Sequence, residues 1–169
     1  MHDGKIIVHK LGETHNSIDF LNLVQSVVDY LPQSARSVFI LDQYNTHKSE
    51  ELVRYVAHKI NFTGDLGIKE KRGILKDMKT RQAFLESACH SIRFLFTPKH
   101  CSWLNQIETW FGLLQRNLLK DLSCKSKEEL KVKIELYIQY FNTNLAKPFL
   151  WKFAGYDTKK FYKQHNFST

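Results

Sequence analysis

The stretch RSVFILDQYNTHKS, from Arg36 to Ser49, runs from an unbroken apolar segment into a polar loop. Val38 to Leu41 are β-branched, aromatic and aliphatic without alternation, the pattern of a strand covered on both faces in a parallel sheet. Asp42 follows directly. In open α/β sheets ligands bind beyond the C-terminal ends of the strands, so a carboxylate at this point is a candidate for chemistry. The bland alternative is an aspartate that turns the chain or caps the next helix. His47, in the same loop, reads as a loop residue or hydrogen-bond partner before it reads as a metal ligand.

Working outward, the spacing of Leu52, Val53, Val56 and Ile60 predicts a helix over 49–60 that packs on the sheet. On the N-terminal side, Phe20, Leu21, Val24, Val27, Val28 and Leu31 recur at helical spacing between Asn16 or Ser17, the expected N-cap, and Pro32. Lys5 to His9, behind the turn dipeptide Asp3-Gly4, reads as a strand entered from a hairpin, so the chain is expected to start mid-sheet. On the C-terminal side the periodicity breaks over 62–80, where Gly64, Gly67 and Gly73 punctuate a basic run, KEKRGILKDMKTR, from Lys69 to Arg81. Its cations, Lys69, Lys71, Arg72, Lys76, Lys79 and Arg81, suit phosphate contacts; a solvated charged face is the plainer alternative. A helix over 81–89 and a buried-type strand, Ile92 to Phe96, come next.

The second informative stretch is TPKHCSWLNQIETWFGLLQRNLL, from Thr97 to Leu119. Pro98 holds Thr97 extended, and a helix over 103–119, expected to lie against the sheet, then places Leu104, Ile107, Phe111, Leu114 and Leu118 on one stripe. Glu108 falls on the border of that stripe. A carboxylate there needs a cation or water, and a divalent metal ion would satisfy it. Ser126-Lys127-Glu128-Glu129 reads as a capping box, opening a last helix through Leu130, Ile134, Tyr137, Ile138 and Phe141. Beyond Ala146, Trp151, Phe153, Tyr156, Phe161 and Tyr162 lie among lysines, either as aromatics that cap a core or as a surface that stacks on bases.

At 169 residues, with 43% hydrophobic residues, the chain is expected to bury one core. Its 25 Lys and Arg against 17 Asp and Glu give a net charge of +8, which favours phosphate-rich partners without naming one. Cys89, Cys101 and Cys124 form no CxxC pair, which argues for a reducing compartment and against both a disulfide framework and zinc. No apolar run approaches the length of a membrane span and no leader pattern opens the chain, so no membrane partner is expected. A cytoplasmic, bacterial-type, nucleoid-associated location fits these features.

The element order, with strands and helices alternating, is that of an α/β domain with short parallel connections. In such a sheet Asp42 and Glu108 can meet at one edge. Two Mg²⁺ ions about 3.5 to 4 Å apart, held by carboxylates, supply the activated water and the stabilised leaving oxygen that phosphodiester cleavage requires.

LDQYNTHKS around Asp42 and FTPKHCSWLNQIETWFGLLQR around Glu108 resemble the second and third acidic motifs of DDE transposases, in particular the mariner-like branch that includes the bacterial insertion sequence 630 family. The resemblance runs from about Arg36 to Gly155 and takes in GILKDMKTR and YIQYFNTNLAKPFLWKFAGY. It implies an RNase H-like mixed sheet flanked by helices, and metal-dependent DNA cleavage and strand transfer in transposition, with Mg²⁺ or Mn²⁺ as cofactor and transposon ends and target DNA as partners. Carried over by position, Asp42 is the second metal ligand and Glu108 the third, with Trp103 and Asn105 shaping the helix start. Lys76, Lys79, Arg81, Lys99 and His100 are the expected DNA contacts.

The family's first Asp has no clear counterpart, since Asp3 sits in a turn, and the family's helix-turn-helix is not found. The expectation is therefore an N-terminally truncated catalytic domain over 1–155 with a basic-aromatic tail over 156–169, inactive in strand transfer alone. A homodimer or an upstream transposase fragment would then complete it. A nuclease completed by a second chain, a non-catalytic DNA-binding module and an unrelated α/β protein with boundary acids remain as alternatives.

Overall fold

A computed structural model describes residues 3–98 and 105–148. Five α-helices and two strands lie in them: α1 (Ser17–Tyr30), β1 (Ser37–Leu41), α2 (Glu50–Lys59), α3 (Met78–Leu85), β2 (Ile92–Phe96), α4 (Gln106–Leu114) and α5 (Lys127–Tyr140). A 3₁₀ turn, Asn45–Lys48, joins β1 to α2, and π turns prolong α4 over Gln115–Leu119 and α5 over Phe141–Leu145. None of these helices is long and apolar enough to cross a membrane.

β1 and β2 pair in parallel, Ser37 opposite Ile92 through Leu41 opposite Phe96. The ladder is extended at its ends by Ser37 N–H to Ser91 C=O and Thr97 N–H to Leu41 C=O, both at 2.8 Å. Phe39 stacks on Phe94 across the pair, ring centroids 4.9 Å apart. Helices α1, α2 and α3 cover this face, with Val24, Leu52, Val53, Val56, Phe84 and Leu85 joining Ile92 and Phe94 in the main core. The other face of β1 is open. Val38 and Ile40 are each 56% exposed, so the strand is half-buried where its sequence predicts cover on both sides. The strand residues that join the core all lie on the Phe39 side, which leaves Val38 and Ile40 outside it.

Capping sets the helix starts. Asn16 accepts from the N–H groups of Ile18 and Asp19, and Asp19 returns a bond to the Asn16 N–H, a reciprocal box. The Lys10 ammonium, then the Thr14 hydroxyl and the Asn16 amide, hold the Asp19 carboxyl down to about 2. A carboxyl whose folded pKa is depressed stabilises the fold above its unfolded value, and that contribution vanishes as pH falls from about 3.9 through the folded value. Thermal melts between pH 4 and pH 2 should therefore show a smaller acid-induced fall in Tm for Asp19→Asn than for the unaltered chain. Equal falls would remove Asp19 from the acid response.

Three predicted elements differ from the structure. Lys5 to His9 is not a strand and pairs with none among the described residues: Ile6 donates to Asn142 Oδ1 at 2.9 Å and accepts from Asn142 Nδ2 at 2.8 Å. One amide side chain thus satisfies the backbone groups that a neighbouring strand would otherwise take. The helix expected over 81–89 lies earlier because Asp77 caps it, accepting from Lys79 and Thr80 N–H while Thr80 Oγ1 accepts from Asp77 N–H. The helix expected from Trp103 against the sheet begins, in the described residues, at Gln106 behind its N-cap Asn105. It packs elsewhere. Trp110, Leu113, Leu114 and Leu118 gather with Tyr137, Phe141 and Ile6 in a second cluster, while Ile107 and Phe111 of the predicted stripe are exposed.

The start of α5 also differs in detail. Ser126 accepts from Glu129 N–H as predicted, but Glu129 takes the Lys125 N–H, so the box is not reciprocal. Tyr137, Ile138 and Phe141 are buried as the spacing predicts.

Candidate metal centre and nucleic-acid interface

Asp42 stands where parallel β1 gives way to the loop. Its Oδ1 accepts the Tyr44 N–H at 3.0 Å, an Asx turn that the polar loop sequence favours. The same oxygen lies 2.9 Å from His47 Nδ1, which is also 3.4 Å from the Asp42 carbonyl oxygen. Both neighbours are acceptors, so Nδ1 carries the proton. The His47 ring rests on Phe20 of α1, centroids 4.3 Å apart, and Tyr44 meets it edge-on at 5.9 Å. Asp42 Oδ2 takes no hydrogen bond from the described residues, and the side chain is 45% exposed.

The loop is fastened at two further points. Gln43 donates to the Thr97 carbonyl at 2.8 Å and accepts from Lys48 Nζ at 2.6 Å, while that ammonium sits 5.2 Å from the centroid of the Phe96 ring. Ser49 caps α2 through Leu52 N–H at 3.2 Å. The position of Asp42 is thus set from α1, from the end of β2 and from α2. Periodicity in the sequence does not reach His47, Gln43 or Lys48. The available signal is a polar loop of fixed length between a strand-end carboxylate and a helix-capping serine.

Glu108 lies in the first turn of α4 and is exposed, with no side-chain hydrogen bond or ion pair among the described residues. It is not on the border of a buried face, because the helix turns Trp110 and Leu113 inward in place of Ile107 and Phe111. No three of His, Cys, Asp and Glu gather into a metal-holding group among the described residues. The available donor atoms are nonetheless hard carboxylate oxygens of the kind Mg²⁺ takes, and Asp42 presents one that nothing else uses.

The basic run, which shows no periodicity in sequence, folds as a hairpin. Ile68 and Arg72 form an antiparallel bridge, and Leu75, fully buried, donates to Leu66 C=O at 2.9 Å. Gly67 and Gly73 face each other with φ of 83° and 76°. A Cβ on Gly67 would lie 2.1 Å from the Arg72 carbonyl oxygen, so the turn requires glycine. Asp65 accepts from Gly67 N–H and from the Arg72 guanidinium, in that order of influence, and its carboxyl is held below the usual range. Arg72 is therefore partly neutralised.

Lys69, Lys71, Lys76 and Lys79 are exposed and form no ion pair among the described residues. Arg81 is half-buried and donates Nε to the Asp77 carbonyl at 3.2 Å. Asn105 caps α4, accepting from Ile107 N–H at 3.3 Å, the local role that its neighbours in sequence suggest. Lys99, His100 and Trp103 lie outside the described residues, as do Cys101 and the aromatic residues from Trp151 onward.

No match was found among curated proteins, and none among solved structures. A family model described as a DDE superfamily endonuclease matches residues 1–131, and one described as an integrase core domain matches residues 108–167. The two overlap on α4 and the first turn of α5, and the first spans both Asp42 and Glu108. Domains of these families act on DNA and generally depend on a divalent metal. With the first match extending over well more than half of its length, the chain belongs to the DDE superfamily endonucleases.

Proposed function

We propose that the chain is an RNase H-like catalytic domain of a mariner-like transposase of the insertion sequence 630 type, with Asp42 and Glu108 as metal ligands. The observation that carries this reading is Asp42 itself: at the end of a parallel strand, one carboxylate oxygen is held by Tyr44 N–H and His47 Nδ1 and the other has no hydrogen bond from the described residues. A bound Mg²⁺ or Mn²⁺ would polarise the scissile phosphate and lower the pKa of the attacking water. The chain's own residues supply the rest. Asp42 offers Oδ2 as a fixed hard ligand, Glu108 offers an uncommitted carboxylate from α4, and Lys76, Lys79 and Arg81 bind phosphates beside α3. Lys99, His100, Trp103 and Asn105 belong to the DNA-facing side of the same reading.

On this proposal the chain by itself does not perform strand transfer. Asp42 and Glu108 are two acids where a two-metal centre requires more, and of the acids near the start of the chain Asp19 is committed to Lys10, Thr14 and Asn16, and Asp3 to the Lys5 N–H. The missing acid would come from a second copy or another transposase segment. A second reading, a DNA-binding module without catalysis, is supported by Lys69, Lys71, Lys76 and Lys79, exposed and without an ion pair among the described residues.

The test is a strand-transfer assay on family-type terminal sequences with Mg²⁺ or Mn²⁺. We expect no joined product from this chain alone, and product when a segment supplying a third acid is added. Joining by the unsupplemented chain would contradict the assignment of ligands. Tight, salt-sensitive, metal-independent DNA binding under all conditions, without product on supplementation, would favour the second reading.

A further inference from the structure

His47 is buried further than its loop position suggests, its side chain only 18% exposed, and it makes contacts on two sides. One side of the ring lies on Phe20 of α1. Its Nδ1 meets Asp42 Oδ1 at 2.9 Å and the Asp42 carbonyl oxygen at 3.4 Å. We infer that His47 is a positioning residue: it donates Nδ1–H to Asp42 Oδ1, and Phe20 clamps the ring, so that Oδ2 is presented outward in one orientation to a divalent cation. This rests on the metal-ligand reading of Asp42 given above.

The physical argument is one of rotamer freedom. A half-exposed aspartate at a strand end samples several χ orientations, and the Tyr44 N–H alone restrains one oxygen without fixing the carboxylate plane. A second donor on the same oxygen, from a largely buried ring packed against Phe20, removes much of that freedom. The two donors occupy the lone pairs of Oδ1, so the two carboxylate oxygens become inequivalent and Oδ2 is the one left to ligate. Since both atoms facing Nδ1 are acceptors, the arrangement demands the Nδ1–H tautomer whether or not a metal is bound.

The experiment is a Mn²⁺ titration of the full chain followed by electron paramagnetic resonance, with thermal melts alongside, on the unaltered protein, Asp42→Asn, His47→Leu and His47→Asn. Asparagine places its amide nitrogen where the ring has Nδ1, so it retains the donor; leucine does not. His47→Leu is expected to weaken Mn²⁺ binding by about tenfold or more, the usual effect of losing a group that orients a ligand, and His47→Asn to recover most of the affinity. Equal losses in both variants, or no loss in either, would overturn the inference.

Asp42→Asn separates the two levels of argument. If it abolishes binding while His47→Leu leaves it intact, only the role of His47 fails; if it leaves binding unchanged, the metal assignment fails and this inference with it. Nitrogen-15 shifts of the His47 ring at pH 8 give a reading that no variant's folding can disturb. The Nδ1–H tautomer is expected, and the Nε2–H tautomer would overturn the inference.

Discussion

Replacing Lys76, Lys79 and Arg81 together by Ala should weaken DNA binding at low salt by about ten- to a hundredfold and flatten its salt dependence. Each phosphate that a Lys or Arg neutralises releases counterion, contributing about −0.9 to the slope of log K against log salt. Lys76 and Lys79 are exposed beside the N-terminus of α3 and are paired with no acid among the described residues. Arg81 donates Nε to the Asp77 carbonyl, so part of its guanidinium is already engaged. The slope should therefore fall by about two, short of the roughly 2.7 that three equal contributions would give. The hairpin is anchored by Leu75 and by the Gly67–Gly73 contact, so the triple variant should melt close to the unaltered protein. Salt titrations by fluorescence anisotropy measure the effect. An unchanged slope would make this segment a solvated face.

The second large effect is on stability. Phe94 is fully buried in β2 and stacked on Phe39, beneath the helices of the main core. Phe94→Ala should cost about 3–5 kcal/mol, the sum of lost transfer free energy and the cavity left behind. Domains of this size are stable by about 5–15 kcal/mol. The sheet described here has two strands and one covered face, so the loss should bring unfolding near to room temperature. Denaturant unfolding followed by circular dichroism measures it. A change under about 1 kcal/mol would mean that the packing around Phe94 is not the core of the fold.

The parts legible in the sequence are those whose determinants are local. The apolar periods of α1 and α2 and the two runs SVFIL and IRFLF are found where they are predicted, and Asp42 follows directly from the end of β1. What was not legible depends on distant partners or on competing local signals. Asn142 replaces a neighbouring strand for Ile6 from 136 residues away. Asp77 caps α3 from within a run of cations that dominates any reading of that stretch. In α4 both Ile107/Phe111 and Trp110/Leu113/Leu114 make an apolar stripe, and only the position of α5 decides between them. His47 escapes for a related reason. Its role comes from the 3₁₀ turn that folds it back on Asp42 and from Phe20, which lies on another helix.

The claim that Asp42 and Glu108 serve one centre is tested most directly by a double-mutant cycle on Mn²⁺ affinity, measured on the full chain with DNA present. Asp42→Asn, Glu108→Gln and the double variant are titrated in parallel. If both carboxylates hold the same cation, either single change removes most of the affinity and the double change adds little, giving a coupling of about 1 kcal/mol or more. Affinity unchanged in Glu108→Gln, or losses that simply add, would contradict the account.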